Sequence, residues 1–344
     1  MDPNLFITIA RHNNFHDFLA FIHVSRRVRR IFLLHLEAIV GHVLKTTLVF
    51  NPETAAPTDW SKKLPRWVTL TLPLMDIPGS QRQALNDHVV AGVQQKYPFL
   101  LDQSHDCHEL MMNPCRRGKK SVDQPRFLAG GSVAQIAHDK EWRTDLDLFR
   151  TTLPGEVESR EKVWVNLSKR HSGGPRVVEI DSIAKDTQHI EWTLSDFDLS
   201  VCQIGVLLSP DTSGVTGPRV FVTPLFLYSL HTRSLIAQVS DVAAKYRDDF
   251  KEGITAILDT FFKKHCDLHR QFCKFDQTSL VKTRFDECDS CYYTAQNLLE
   301  RDNNDPPIIS GDDGADNFIH RWIDRVRKYV GRFPDFDIKY IKAV

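Results

Sequence analysis

Gly130, Gly131 and Ser132 directly follow the apolar run Phe127, Leu128 and Ala129, and twelve residues later Asp145 and Asp147 stand in a second apolar run with Leu146, Leu148 and Phe149. This pattern constrains the fold more than any other stretch of the chain. It predicts a buried strand, a glycine turn, a helix over about 132 to 142, and a strand over 145 to 150. Side chains two apart on a strand share a face, so Asp145 and Asp147 project together while Leu146 and Leu148 project to the other side. Paired hard oxygen ligands suit Mg²⁺ ions that bridge nucleotide phosphates. Glycines let a triphosphate approach the backbone, and the Ser132 hydroxyl is free to donate to it. The alternative is an ordinary edge strand exposing its aspartates beside a plain turn.

The order and spacing of these residues resemble the signature of the polymerase β-like nucleotidyltransferases, over about residues 123 to 260. That family requires a third carboxylate on a neighbouring strand. Asp198 is the candidate, because alternation through Asp196–Val206 puts Asp198, Ser200 and Cys202 on one face. The resemblance implies an α+β protein with a small mixed-sheet catalytic core, a helical C-terminal lobe and a helical N-terminal module. It implies Mg²⁺ or Mn²⁺ held by Asp145, Asp147 and Asp198, and an NTP bound at Gly130, Gly131 and Ser132. The implied reaction transfers NMP from the NTP to a hydroxyl acceptor (RNA, protein or nucleotide) and releases pyrophosphate, with Asp198 also placed to take the acceptor's proton. In two-lobed relatives a basic and an aromatic residue of the second lobe face the nucleotide. Lys245, Tyr246 and Arg247 are candidates for that place, against a core role for Tyr246.

Apolar residues recur at helical spacing through residues 1–49, including Phe15, Phe18, Leu19 and Ile22, then Val28, Ile31, Phe32, Leu36 and Ile39. Pro3, Leu5 and the stretch Asp17–Val28 resemble an F-box, which implies docking to the linker subunit of a cullin-type ubiquitin ligase through residues 3–32. A helical hairpin packed on the rest of the protein is the alternative. If the F-box reading holds, the nucleotidyltransferase-like domain could instead be a catalytically silent passenger on an adaptor.

Residues 50–122 read as a linker and bracing region, with a strand at Trp67–Leu74 confined to a sheet edge by Pro73 and a helix at Gln81–Gln95. The catalytic core is expected over 123–233, with further strands at Arg176–Ile183, Phe197–Val206 and Phe221–Leu227 and a charged loop between residues 151 and 175. A helical lobe is expected over 234–344, starting at Ser234, carrying an acidic loop at 302–316 and ending in an amphipathic helix at Asn317–Val330.

Across the 344 residues, 44 Lys and Arg balance 44 Asp and Glu, so no net charge drives the chain onto nucleic acid or an anionic membrane. Basic clusters occur at Arg26, Arg27, Arg29 and Arg30 and at Arg116, Arg117, Lys119 and Lys120; either is a solvated face or a contact for phosphate. No RRM or KH signature is present. No run approaches the roughly eighteen apolar residues of a membrane span, and Arg11, His12, Asn13 and Asn14 break the first apolar run, unlike a signal peptide. Seven cysteines, an odd number, argue for a reducing compartment, so the expectation is an intracellular protein, cytoplasmic or nuclear. Cys288 and Cys291, with His265, Cys266, His269 and Cys273 upstream, have spacings that admit a structural zinc site; inert thiols are the alternative. His105, Cys107, His108 and Cys115 form a looser cluster.

Overall fold

The computed structural model describes residues 26–50, 64–101, 126–142, 145–152, 155–166, 177–208, 217–239, 322 and 325–342. The fold is mixed α/β, with a mixed sheet and helices. The chain divides into two compact units, residues 1–43 with 65–231, and residues 44–64 with 232–344.

Helices α1 (Arg26–Leu34) and α2 (Leu36–Thr47) follow one another, and the apolar periodicity of the sequence is their buried face: Phe32, Leu36, Ile39, Val40 and Val43. Strand β1 (Leu48–Phe50) comes next. The stretch expected as a strand at Trp67–Leu74 is mostly 3₁₀ helix, Arg66–Thr69 and Leu74–Asp76, around a two-residue strand β2 (Leu72–Pro73). β2 is indeed at a sheet edge, where the missing N–H of Pro73 costs no ladder bond. Helix α3 (Ser80–Lys96) matches the expected helix, and a short α4 (Pro98–Leu101) follows.

The first unit is built on a seven-stranded sheet, in order β2-β8-β7-β3-β4-β6-β5. Its strands are β2, β3 (Arg126–Ala129), β4 (Leu146–Thr151), β5 (Ser159–Asn166), β6 (Val177–Lys185), β7 (Ile204–Leu207) and β8 (Arg219–Val222). Central β3 runs antiparallel to β4 and β7, whereas β4 and β6 are parallel. Between β3 and β4 lies α5 (Gly131–Ala137), shorter than expected. It stops because Asp139 takes a positive φ of 52°, and the amides of Asp139 and Lys140 bond back to the carbonyls of Ile136 and Gln135, a Schellman closure.

Three other expectations fail for identifiable reasons. Residues 197–203 are not a strand: Phe197 ends a 3₁₀ segment (Ile190–Asp196), Ser200–Cys202 form another, and only Ile204–Leu207 joins the sheet. Pro224 does not limit a strand but opens helix α6 (Pro224–Thr232), since a first-turn proline lacks only an N–H the helix would not use. Thr223 caps that helix, its Oγ1 accepting from the Phe226 amide at 3.1 Å. Charged β5, read from sequence as loop, is the outer edge strand, where Arg160, Glu161 and Lys162 can face solvent.

In the second unit, Ser234 begins a strand rather than a helix. β9 (Ser234–Val239) pairs in parallel with β10 (Asp337–Lys342), which pairs antiparallel with β1. Residues 325–332 are helical, as expected, and the Trp322 indole N–H donates to the Gln238 carbonyl at 3.0 Å. The F-box-like residues before Arg26, the acidic loop, Lys245, Tyr246, Arg247 and both Cys/His clusters lie outside the described residues. Among the described residues, no helix is long and apolar enough to cross a membrane.

Candidate functional site

One face of the large sheet is lined by Phe127 and Ala129 of β3, Phe149 of β4, Leu207 of β7 and Phe221 of β8, and the 3₁₀ segment lays Ile190 and Leu194 on them. Phe197 packs on the same cluster and meets Phe149 edge-on, ring centroids 6.0 Å apart. Two residues before Phe149, on the same side of β4, stands Asp147.

The glycine turn adjoins that carboxylate. Ala129, the last residue of β3, pairs with Asp147 across the ladder. Gly130 turns the chain with φ 77°, a conformation that favours glycine. A Cβ built there would lie 3.0 Å from the Phe197 ring and 3.4 Å from Asp147 Oδ2. The sequence motif is therefore one place in space: turn, aspartate strand and Phe197 share a corner. Gly131 and Ser132 begin α5; Ser132 is fully buried, and its hydroxyl donates to the Ala129 carbonyl at 3.3 Å. That bond fastens the turn to β3.

On the other side of β4, the parallel ladder sets Asp147 directly beside Asp181 of β6. Neighbouring strands lie about 4.8 Å apart, so the two carboxyl groups rise from adjacent positions on one face. Asp181 is 1% exposed, and its Oδ1 is buried without a hydrogen-bond partner. Arg160 of β5 reaches over both groups. Its Nε donates to Asp181 Oδ2 at 3.2 Å, its Nη2 pairs closely with the same oxygen, and Nη2 lies 3.7 Å from Asp147 Oδ1. The hydrogen bond to Asp181 holds the guanidinium pKa above its ordinary value; burial opposes this, and the charges of Asp181, Asp147 and Asp145 reinforce it. Lys162 pairs with Glu179 at 2.5 Å, and its pKa too is raised, chiefly by that hydrogen bond and with smaller help from Asp181 and Asp145.

Asp145 sits just ahead of β4 and is exposed, near enough for its charge to act on both Arg160 and Lys162. Asp198 is not a strand residue. It directly follows Phe197, whose carbonyl accepts from Gln203 Nε2 at 2.8 Å, while Gln203 Oε1 accepts from the Thr223 hydroxyl at 2.6 Å. This relay ties the chain at Phe197 to the start of α6. The ladder neighbour of Asp147 is thus Asp181, which sequence reasoning missed. A signal was present: an ionisable residue between Ile180 and Ile183 in a run otherwise suited to a strand core. Among the described residues, no group of three or more His, Cys, Asp or Glu side chains is placed to hold a metal ion.

No protein-family model and no curated protein matches this chain. Among solved structures it is similar to the Thermotoga maritima CCA-adding enzyme complexed with tRNA, at 12% identity and a TM-score of 0.27, over 75% of this chain and 56% of that one. It is similar also to a CCA-adding enzyme in complex with CTP, at 11% identity and a TM-score of 0.25, over 75% of this chain and 55% of that one. The chain thus spans little more than half the length of these structures. Neither likeness is close enough to define its fold or chemistry.

Proposed function

We propose that the corner formed by Gly130, Asp147 and Asp181 is the centre of a nucleotidyltransferase, which moves a nucleoside monophosphate from an NTP to a hydroxyl acceptor with loss of pyrophosphate. The observation that carries this reading is the meeting of a positive-φ glycine turn with a strand aspartate and a buried second aspartate whose Oδ1 lacks a partner. A buried carboxylate oxygen left unpaired is costly in a folded protein, and a bound cation would satisfy it.

Asp147 and Asp181, with Asp145 beside them, are the residues that would hold Mg²⁺ or Mn²⁺. When bound, such an ion neutralises phosphate charge and lowers the pKa of the acceptor hydroxyl. Gly130 supplies the positive-φ turn, and its lack of a side chain lets Phe197 and Asp147 close in on the corner. Asp198, next to Phe197 at the same corner, is the candidate to take the acceptor's proton. RNA and protein remain the acceptor classes to try first.

Arg160 lying across the carboxylates favours a second reading, a silent domain whose cation is its own guanidinium, carried by an adaptor. Incubation with each α-³²P-labelled NTP, Mg²⁺ or Mn²⁺, and RNA or protein acceptors separates the two. The expected outcome is label transfer that falls about a hundredfold or more in Asp147→Asn, the usual cost of removing one electrostatic group from a reacting centre. Absence of transfer by the wild-type protein with every NTP and acceptor supports the silent domain.

A further inference from the structure

Resting on that reading, the site carries a second message in the identity of the cation that occupies it. Asp181 is almost wholly buried, yet its partner Arg160 is rooted on the edge strand β5 with 63% of its side chain exposed. A buried anion is therefore held by a cation whose own side chain is mostly in water. The guanidinium also satisfies only part of what it meets. It takes Asp181 Oδ2 and stands 3.7 Å from Asp147 Oδ1, while Asp181 Oδ1 stays unpaired.

Asp181, Asp147 and Asp145 all act on Arg160, and Asp181 and Asp145 act also on Lys162, which pairs with Glu179. Guanidinium is a strong but shallow partner here: planar, singly charged and too large to sit between two strand carboxylates as a small ion can. A divalent ion takes oxygen ligands at about 2.0–2.6 Å, inside the distances that Arg160 keeps from Asp147.

We propose that Arg160 is an exchangeable counter-ion of the site, which occupies the Asp147–Asp181 pair in the absence of metal and must leave it for a divalent cation to enter. It keeps Asp181 compensated in the empty protein, and in doing so it sets how much metal the site needs.

The test is Mn²⁺ binding without nucleotide, followed by the paramagnetic resonance signal of free Mn²⁺, on the full chain and on Arg160→Met and Arg160→Lys. Arg160→Met removes the competing charge at an exposed position, so it should bind Mn²⁺ at least fivefold more tightly than wild type, with Arg160→Lys between them. Without metal, Arg160→Met should unfold at a lower temperature than wild type, and saturating Mn²⁺ should raise its midpoint by more than it raises that of wild type. Asp181→Asn should abolish the gain in Mn²⁺ affinity in the Arg160→Met background. Equal or weaker Mn²⁺ binding by a folded Arg160→Met overturns the exchange, while leaving the nucleotidyltransferase reading intact if the wild type binds Mn²⁺ and transfers label. If neither wild type nor Arg160→Met binds Mn²⁺ at millimolar concentration, both readings fall together. Circular dichroism establishes folding, and the Lys variant, which keeps the charge, supplies the comparison should the Met variant fail to fold.

Discussion

Phe149 and Asp147 are two residues apart on one strand and face the same way, yet they belong to opposite kinds of environment. Around Phe149 the sheet face is apolar: Phe127, Leu207 and Phe221 lie under Ile190 and Leu194. Around Asp147 the same face is charged, with Asp181 beside it and Arg160 across both. Burial does not separate the halves, since Asp181 at 1% is nearly as inaccessible as Phe127 at 0%. What differs is how burial is stabilised. The apolar half gains by leaving water, whereas Asp181 loses hydration and depends on a cation. A sheet face can therefore carry a charged group as deep as its core, provided that a compensating charge arrives, here from the edge strand.

Removing the most deeply buried ring of the apolar half should have the greatest effect on stability. Phe127→Ala should cost about 3–5 kcal/mol by chemical denaturation, the usual range for an emptied aromatic core site. The loss should be at the high end, because Gly205 leaves its space to that ring: a Cβ on Gly205 would lie 2.3 Å from Phe127. A loss under about 1 kcal/mol would show that the face is not a tightly packed core.

At the seam between the halves, Thr223→Ala should cost about 1 kcal/mol, the typical value of a helix cap. It also frees the Gln203 side chain from one of its two bonds, so the amide of Phe197 should exchange hydrogen faster. Unchanged exchange there would break the proposed tie between α6 and the corner of the site.

The charged half should answer differently. Asp147→Asn, severe for label transfer, should shift the unfolding free energy by less than about 0.5–1 kcal/mol, because its contact with Arg160 is long and partly solvated. A large loss would recast Asp147 as a structural residue. Smallest of all, Lys162→Met should lower the melting temperature only slightly near neutral pH, since the Lys162–Glu179 pair is exposed. The sign of its pH effect is nevertheless defined. The Lys162 pKa is raised on folding, so whatever the pair contributes is fully present below the unfolded value and is lost as pH rises through the folded one. The difference between wild type and Lys162→Met should therefore shrink on going above about pH 10.4, the ordinary lysine value.

Local signals carried the elements whose reasons are local. The helix at Ser80–Lys96, the glycine turn with its flanking strands, and the strand beginning at Val177 all follow from periodicity and turn chemistry. The errors fall where a neighbour decided. β5 is too charged to read as a strand, and it becomes one because β6 offers it a ladder over all eight residues. Residues 234–239 alternate too weakly to betray a strand, and β10, about a hundred residues later, makes them one. Phe197–Gln203 has strand composition, but Gln203 bonds the Phe197 carbonyl and the segment closes into turns instead.

The candidate site divides along the same line. Sequence alone determined the turn at Gly130 and the strand that bears Asp147, because both depend on dihedral freedom and on the two-residue period of a strand. It could not determine which carboxylate stands beside Asp147. The parallel β4–β6 register decides that, and it sets Asp181, thirty-four residues away, in that ladder position. Nor could it show that Arg160 neutralises the pair. Ladder register and long-range charge compensation are properties of chains brought together, and no window of sequence contains both partners.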